Sequence, residues 1–427
     1  MPPAHVDTPS RATGTWTRFM RWLDARMPVT ETYEYHLGKY YAPKNFNFWY
    51  YFGVLAIFVL VLQLVTGIWL TMSYIPSGAG AFASVEYIMR DVEFGWLLRY
   101  LHTTGASAFF VVVYLHMFRG LIYGSYREPR ELLWIIGMVI FVALMAEGFF
   151  GYLLPWGNMS YWAAQVIVSL FGSVPVIGPD LMEWIRGDFL ISEITLNRFF
   201  ALHVIALPLV LVMLVFVHIV ALHHVGSNNP DGIEIKKKKD ENGIPLDGIP
   251  FHPYYTIGHD LPAVVLFLIL FCAVVFFAPE MGGYFIEKPN FSEADPLKTP
   301  DHIAPVWYYT PYYAMLRAAT FNLFGVDAKF WGFVVMAGAI VLPAVLPWLD
   351  RSPVKSIRYK GLASKLMLAV FIVSFFVLGY LGTIPPSPTA TAMAQVGTVI
   401  YFSYFILMPW YTRAEKTKPV PDRVTMR

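Results

Sequence analysis

The chain has 427 residues, of which 57% are hydrophobic and only 14% are charged, so it has too few polar side chains to cover the surface of a water-soluble protein. Its formal net charge of +2 gives no reason to expect a nucleic-acid partner. The single cysteine, Cys272, excludes an internal disulfide, an iron–sulfur cluster held by cysteines and a C-x-x-C-H haem attachment, so other residues must hold any cofactor.

The first 47 residues precede any apolar segment of membrane length. They have neither the short apolar core nor the small-residue cleavage site of a signal peptide, so we expect this segment to be retained. Between residues 16 and 26, arginines alternate with aromatic side chains, which is typical of a helix lying in the membrane interface. A disordered basic tail would not need the aromatic residues.

Eight later segments are long enough to cross a bilayer, whose apolar core of about 30 Å needs roughly 20 helical residues. The expected spans are 48–74, 95–123, 132–154, 199–222, 261–278, 330–349, 366–384 and 392–411. The sequence therefore predicts an all-α integral membrane protein. Its expected domains are a cytoplasmic segment over 1–47, a four-helix domain over 48–225, a loop over 226–260, a second four-helix domain over 261–412 and a tail over 413–427.

The distribution of basic residues predicts the orientation of the chain. Of the 31 lysines and arginines, 23 lie on the side of the two termini and 8 on the other side. Because basic residues are enriched in cytoplasmic loops, we expect both termini to be cytoplasmic. The two long connections, 155–198 and 279–328, then lie outside. Connections of this length usually carry function, and the aromatic residues of the first predict helices in the interface.

Four histidines lie inside two of the spans, where ionisable side chains are costly and usually functional. His102 and His116 are 14 residues apart in the second span, and His203 and His218 are 15 apart in the fourth. Fourteen helical residues rise about 21 Å and return to nearly the same face. We therefore expect two bis-histidine sites stacked across the membrane, His102 with His203 outside and His116 with His218 inside. Such pairs suit low-spin haem iron better than hydrolytic zinc.

Glycines repeat the same 14-residue step on the other two helices of this domain. They are Gly53 and Gly67 in the first span and Gly137 and Gly151 in the third. Helix packing alone explains one such pair, but not four matching intervals, so we expect the glycines to leave room for the edge of a flat macrocycle. Arg99 and Arg119 lie three residues from a predicted ligand, where each can reach a haem propionate or extend to the interface.

Over nearly its whole length the chain resembles cytochrome b of the proteobacterial cytochrome bc complexes. The matching motifs are RYLHTTGAS at 99–107, GYLLPWG at 151–157, NRFFALH at 197–203, SNNP at 227–230, PVWY at 305–308 and YYAMLR at 312–317. The resemblance implies a low-potential haem b outside and a high-potential haem b inside. It also implies quinol oxidation outside, quinone reduction inside and proton translocation by the Q cycle.

The resemblance further implies partners and a location. These are a Rieske iron–sulfur protein, a cytochrome c1-type subunit, membrane lipid, ubiquinone and a homodimer of the complex in a bacterial inner membrane. It places the inner quinone site at His223, Ser227, His259 and Asp260, of which His223 and Asp260 are suited to donate protons. It places the outer site at Tyr152, Pro305, Val306, Trp307 and Tyr308.

Two positions depart from the family pattern. The spacing of 15 between His203 and His218 is that of the chloroplast-type subunit, but the continuous chain of eight spans favours the respiratory type. Val306 stands where most relatives have a glutamate thought to accept a proton from quinol. We expect Glu147, one turn before Gly151, to take that role. The alternatives are that a loop acid, Glu280, Glu287 or Glu293, accepts the proton, or that Glu147 is merely structural.

Two other functions fit part of the pattern. A two-haem membrane anchor for a dehydrogenase would need only the first four spans and not the aromatic outer connection. A secondary transporter would have several spans with buried charged residues, but no inverted repeat is evident and paired histidines would have no purpose there.

Overall fold

The computed structural model describes residues 14–426, so the first 13 residues of the predicted N-terminal segment and the last residue of the predicted tail lie outside it. The described part is predominantly helical. Seven helical stretches are long and apolar enough to span a membrane: Phe48–Thr71, Gly95–Tyr123, Glu131–Leu153, Glu193–Val225, Phe251–Phe277, Ala328–Leu349 and Leu362–Thr383. An eighth is the bent pair Pro388–Ile406 and Met408–Ala414, with 57° between its parts. The predicted fold class, an all-α membrane protein, is confirmed.

The helices are numbered in chain order. They are α1 Thr15–Asp24, α2 Val29–Tyr33, α3 Tyr51–Thr71, α4 Ala81–Arg90, α5 Gly95–Tyr123, α6 Glu131–Leu153, α7 Asn158–Phe171, α8 Gly178–Arg186, α9 Glu193–Ala201, α10 Leu207–Val225, α11 Leu261–Phe277, α12 Thr310–Ala318, α13 Ala328–Val341, α14 Leu346–Leu349, α15 Leu362–Thr383, α16 Pro388–Ile406 and α17 Met408–Ala414. Two short strands, β1 Tyr41–Pro43 and β2 Gly248–Pro250, pair antiparallel.

Residues 16–26 fall largely in α1, and the first outer connection forms α7 and α8, so the helices expected there are present. In the first half of the molecule α3 packs along α5, and α6 packs along α10. The fourth span is interrupted between α9 and α10 by a π-helical turn at Leu202–Ala206. Pro208 follows this turn, and because proline has no N–H and clashes with the preceding turn, it favours such an irregularity.

The π turn explains the unusual histidine spacing of the fourth span. A π turn holds one residue more than an α-helical turn, because its hydrogen bonds run from i to i+5. His203 lies within the turn and His218 lies in the regular helix that follows. The fifteenth residue is therefore taken up locally, and both rings remain on the face that points toward α5.

The second half of the molecule holds part of the outer connection in its core. Helix α12 packs against α13, α15 and α16, and Tyr312, Ala314 and Met315 on it are buried. Gly382 permits this approach, since a Cβ atom there would lie 2.1 Å from the Thr310 carbonyl oxygen. The preceding segment, Trp307–Tyr309, is thereby held against α5 and α6.

Candidate functional site

The four intramembrane histidines form two pairs between the helix pairs α3–α5 and α6–α10. The ring centroids of His102 and His203 are 6.1 Å apart and the rings are perpendicular, at 89°. Those of His116 and His218 are 6.5 Å apart at 63°. The predicted partners therefore face each other at both levels.

Both gaps fit one metal atom with an imidazole on either side. Metal–imidazole bonds are about 2 Å long, so two in line span about 4 Å, and half of each ring adds roughly 1 Å at either end. The resulting centroid separation of about 6 Å agrees with both observed values. Within residues 14–426, no group of three or more histidine, cysteine or acidic residues is placed to hold a metal. Two imidazoles facing each other are the ligand set that a haem iron would take.

Each of the four predicted glycines lies against the imidazole of one histidine on the neighbouring helix. We measured how far a Cβ atom added at each glycine would lie from the nearest Cε1 atom. The distances are 3.5 Å from Gly53 to His116, 3.1 Å from Gly67 to His102, 3.3 Å from Gly137 to His218 and 2.3 Å from Gly151 to His203. The missing side chains thus make room for the histidine rings themselves. Room for a macrocycle edge, which the spacing predicted, stays a prediction.

Hydrogen bonds fix the tautomer of both outer histidines. Thr66 Oγ1 lies 3.0 Å from His102 Nδ1 and donates its own hydrogen to the Leu62 carbonyl oxygen at 2.7 Å, so it accepts from the imidazole N–H. His203 Nδ1 lies 3.0 Å from both the backbone oxygen and the carboxyl Oε1 of Glu147, which are acceptors. Nε2 of each ring is therefore the nitrogen left free to bind a metal.

The two predicted propionate partners differ in their surroundings. The Arg119 guanidinium lies 5.0 Å from the centre of the Tyr50 ring, and its Nε is buried with no hydrogen-bond partner in the described part of the chain. It is thus available to an anionic group at the inner level. Arg99 is partly buried near the outer level.

At the end of the bundle that carries the N-terminal segment, this segment contacts two of the predicted inner-site residues. His36 Nδ1 lies 3.1 Å from His223 Nδ1, and the Tyr40 hydroxyl lies 3.1 Å from Ser227 Oγ. The Tyr40 ring also packs edge-on against His223, with centroids 4.5 Å apart. The sequence reasoning missed His36 and Tyr40, because nothing in their local pattern connects them with residues 187 positions away.

The other two predicted inner-site residues lie at the start of the next span. His259 Nδ1 lies 3.1 Å from the Tyr254 carbonyl oxygen, and Asp260 immediately precedes α11. Neither makes a hydrogen bond to His223 or Ser227 within residues 14–426. The structure therefore forms two adjacent polar groups rather than one connected network.

At the outer end, Glu287 from the long connection meets Tyr152 of α6. The Tyr152 hydroxyl donates to Glu287 Oε2 at 2.8 Å, and Asn290 Nδ2 lies within hydrogen-bond distance of both. Burial raises the pKa of Glu287 to about 7, although these hydrogen bonds oppose the shift. A carboxyl group that titrates near neutral pH can both accept and release a proton.

The PVWY segment is built into the same end of the molecule. Trp307 Nε1 donates to Ser107 Oγ at 3.1 Å, and the Tyr308 ring stacks on Phe110 with centroids 3.8 Å apart. Val306 is buried, and Pro305 directly before it is half-buried. The segment is therefore packed against α5 beside the Tyr152–Glu287 pair.

Comparison with known proteins agrees with this geometry. The family description "Cytochrome b/b6/petB" matches residues 37–226, and "Cytochrome b(C-terminal)/b6/petD" matches 293–402. Cytochrome b of Allochromatium vinosum is 62% identical over 413 residues, covering 96% of this chain and 99% of the relative. Cytochrome b of Rhodospirillum rubrum is 46% identical, covering 95% and 96%.

A solved structure described as "Hyperthermophilic respiratory Complex III" contains a similar chain. It aligns with a TM-score of 0.83 and 38% identity over 93% of this chain and 99% of the other. The resemblance predicted from the motifs is thereby confirmed. The chain belongs to the cytochrome b family, the electron-transferring core subunits of complex III-type quinol:cytochrome c oxidoreductases.

Proposed function

We propose that this chain oxidises quinol at its outer end and reduces quinone at its inner end, in a respiratory complex of a bacterial inner membrane. The observation that carries the proposal is the pair of stacked histidine sites, which lie between two candidate quinone sites at opposite ends of one helix bundle. His102 with His203, and His116 with His218, would hold two haem b groups. When bound, these would supply a one-electron path from the outer to the inner side.

The orientation of the chain gives this path its direction. The 23 basic residues on the side of the termini support a cytoplasmic location for His223 and Ser227 and a periplasmic one for the PVWY segment. Oxidation of quinol yields two electrons and two protons. One electron leaves to a Rieske iron–sulfur partner, the other moves inward, and both protons are released outside. Family membership also supports a cytochrome c1-type partner, ubiquinone as the quinone and a homodimeric complex.

Glu287 is the best-placed proton acceptor at the outer site. It takes the place of the family glutamate that Val306 replaces, since its carboxyl lies beside Tyr152 and has a pKa of about 7. The prediction that Glu147 has this role remains open to test. The Glu147 carboxyl, however, is in contact with His203, where it is less free to meet a substrate. At the inner site, His223 and Asp260 are positioned to supply cytoplasmic protons to quinone, with His36 behind His223.

Optical spectra of the purified complex test the proposal. We expect two b-type haems per chain with bis-histidine ligation. Replacing His102 or His203 by alanine should remove only the outer haem, and replacing His116 or His218 only the inner one. A colourless protein would contradict the proposed function. Loss of the same haem from the His102 and His116 variants would contradict the pairing across helices.

A further inference from the structure

The two histidine pairs differ in what supports their rings. At the outer level each ring has a side-chain partner at Nδ1: Thr66 for His102 and Glu147 for His203. At the inner level, within the described residues, neither His116 nor His218 has a side-chain hydrogen bond at Nδ1. Only one of the four rings therefore contacts an acidic group.

The Glu147 side chain is only 16% exposed, so most of it is out of contact with water. One carboxyl oxygen, Oε1, lies 3.0 Å from His203 Nδ1, and the other, Oε2, is buried with no hydrogen-bond partner in the described part of the chain. Burying charge without compensation is costly. An oxidised haem iron bound to the other nitrogen of the same imidazole would supply the missing positive charge, because a ferric haem core carries a net charge of about +1.

A carboxylate partner changes the electron donation of the imidazole ligand as well as the electrostatic potential at the iron. An imidazole whose N–H donates to a carboxylate is a stronger electron donor to a metal than one that donates to a neutral group. Both effects favour the oxidised over the reduced iron. They act on the outer site only, because among residues 14–426 the inner histidine pair has no carboxyl group at Nδ1.

The helix repeat gives a built-in comparison. Fourteen residues before Glu147, on the same face of α6 and one level further in, the chain has Leu133. Glu147 precedes Gly151 by four residues, and Leu133 precedes Gly137 by four. His218 lies against the backbone of Leu133 as His203 lies against that of Glu147. On α6 the two levels thus share a backbone arrangement and differ in the side chain at this position, Glu147 outside and Leu133 inside.

We propose that Glu147 is a positioning residue that, through His203, lowers the reduction potential of the outer haem relative to the inner one. It does so by placing the negative charge of its carboxyl group 3.0 Å from Nδ1 of the ligand. The proposal rests on the proposed function, since it needs haem at the outer histidine pair. It assigns to this chain a local cause for the inward direction of electron flow.

The test is a redox titration of both haems in the purified complex. In Glu147→Gln, which keeps the size and an acceptor oxygen but removes the charge, we expect the equilibrium constant for reduction of the outer haem to rise at least tenfold, about 59 mV for one electron. The inner haem should not shift. Thr66→Val, which removes a neutral partner, is the matched control and should shift the outer haem less.

A transplant provides the converse test. Leu133→Glu places a carboxyl group at the equivalent position beside His218. We expect it to lower the equilibrium constant for reduction of the inner haem by a similar factor. An unchanged outer potential in Glu147→Gln, with both haems bound, would overturn the proposal and leave the haem assignment intact. If Glu147→Gln instead loses the outer haem, Glu147→Asp decides: a retained haem with a low potential supports the proposal, and a raised potential overturns it. Absence of an outer haem from the wild-type protein would refute the proposed function itself.

Discussion

Gly151 is the residue at which the fit between neighbouring helices is tightest. A Cβ atom there would lie 2.3 Å from Cε1 of His203, a distance that no packing can accommodate without moving the ring. We expect Gly151→Ala to displace His203 and to reduce affinity for the outer haem on the order of tenfold or more, as loss of ligand orientation does in other metal sites. Haem content and the spectrum of the outer haem measure the effect.

Gly53 is the matched control, because its Cβ position is 3.5 Å from His116, an ordinary contact distance. Gly53→Ala should leave both haems bound. Equal losses in the two variants would mean that helix packing, rather than space for the histidine ring, explains the glycines.

A site residue could be predicted from the sequence when the spacing pattern that reveals it lies within one helix. The four histidines and four glycines were identified from sequence because a step of 14 residues, or 15 in the fourth span, repeats along single helices. The contact between Glu147 and His203 was not, since it depends on how α6 is rotated against α10. The contact between His36 and His223 joins segments 187 residues apart, and no local periodicity encodes it.

The π turn at Leu202–Ala206 is the element that keeps His203 and His218, 15 residues apart, on the same face of the fourth span. Deleting Ile205 should shorten the spacing to 14 and convert the π turn into α-helix, with both rings still inward and both haems bound. Inserting one alanine after Leu214, in the regular part of α10, should instead rotate His218 by about 100° and remove the inner haem. Haem spectra of the two variants give the answer; loss of the inner haem from the deletion variant as well would show that the π turn does not absorb the extra residue.

The outer connection carries the element that we expect to set the pH dependence of quinol oxidation. The pKa of Glu287 is about 7, so its carboxylate, the form that accepts a proton, becomes populated as the pH rises through 7. The rate should therefore increase over that range in the wild type. In Glu287→Gln it should be lower by about 10²-fold or more and lose this pH dependence.

Rescue would separate this role from a structural one. Val306→Glu restores a carboxyl group at the position used by most relatives, and we expect it to recover the rate of Glu287→Gln. A wild-type rate and pH profile in Glu287→Gln, together with a slow Glu147→Gln, would instead favour the original expectation that Glu147 accepts the proton.

Element boundaries show where the sequence was informative. Apolar length predicted the spans, because every backbone group in lipid needs a hydrogen bond and only long helices supply it. The breaks inside them were not predicted. The bend before α17 occurs at Pro409, and the π turn at Leu202–Ala206 precedes Pro208. Whether a proline bends a helix or changes its hydrogen-bond pattern depends on what packs against that helix.

At the scale of the whole molecule, basic residues that were used to predict the orientation also form ion pairs between distant segments. Arg127 of the first half lies 3.3 Å from the buried Asp350 of the second half, which Lys360 also contacts at 2.5 Å, so the connection between the two halves at this point is ionic. Counting lysines and arginines leads to a prediction of orientation but not to these partners, because acidic residues carry little topological signal. The sequence thus predicted where the charges lie and not what they hold.

Asp231 connects three segments that are distant in sequence. It accepts hydrogen bonds from Asn45 Nδ2 in the N-terminal segment at 3.0 Å, from Arg358 Nη1 at 3.0 Å and from the Thr425 backbone N–H in the tail at 2.7 Å. Asn45 lies five residues after Tyr40, so this junction also supports the segment that carries the inner-site contacts. We expect Asp231→Asn to destabilise the protein by about 3 kcal/mol, because it removes the negative charge beside Arg358 and one of the two oxygens that accept the hydrogen bonds of this junction.

Thermal unfolding of the purified complex in detergent measures this loss, with reoxidation of the inner haem by quinone as a second readout. The matched control is Asp422→Asn, since the Asp422 side chain is 98% exposed and lies 3.8 Å from Lys238. An exposed pair of this kind contributes at most about 1 kcal/mol, so Tm should hardly change. If Asp231→Asn lowers Tm no more than Asp422→Asn, the junction does not hold the cytoplasmic side together. If Tm falls while inner-haem reoxidation is unaffected, the N-terminal segment keeps His36 and Tyr40 in place without it.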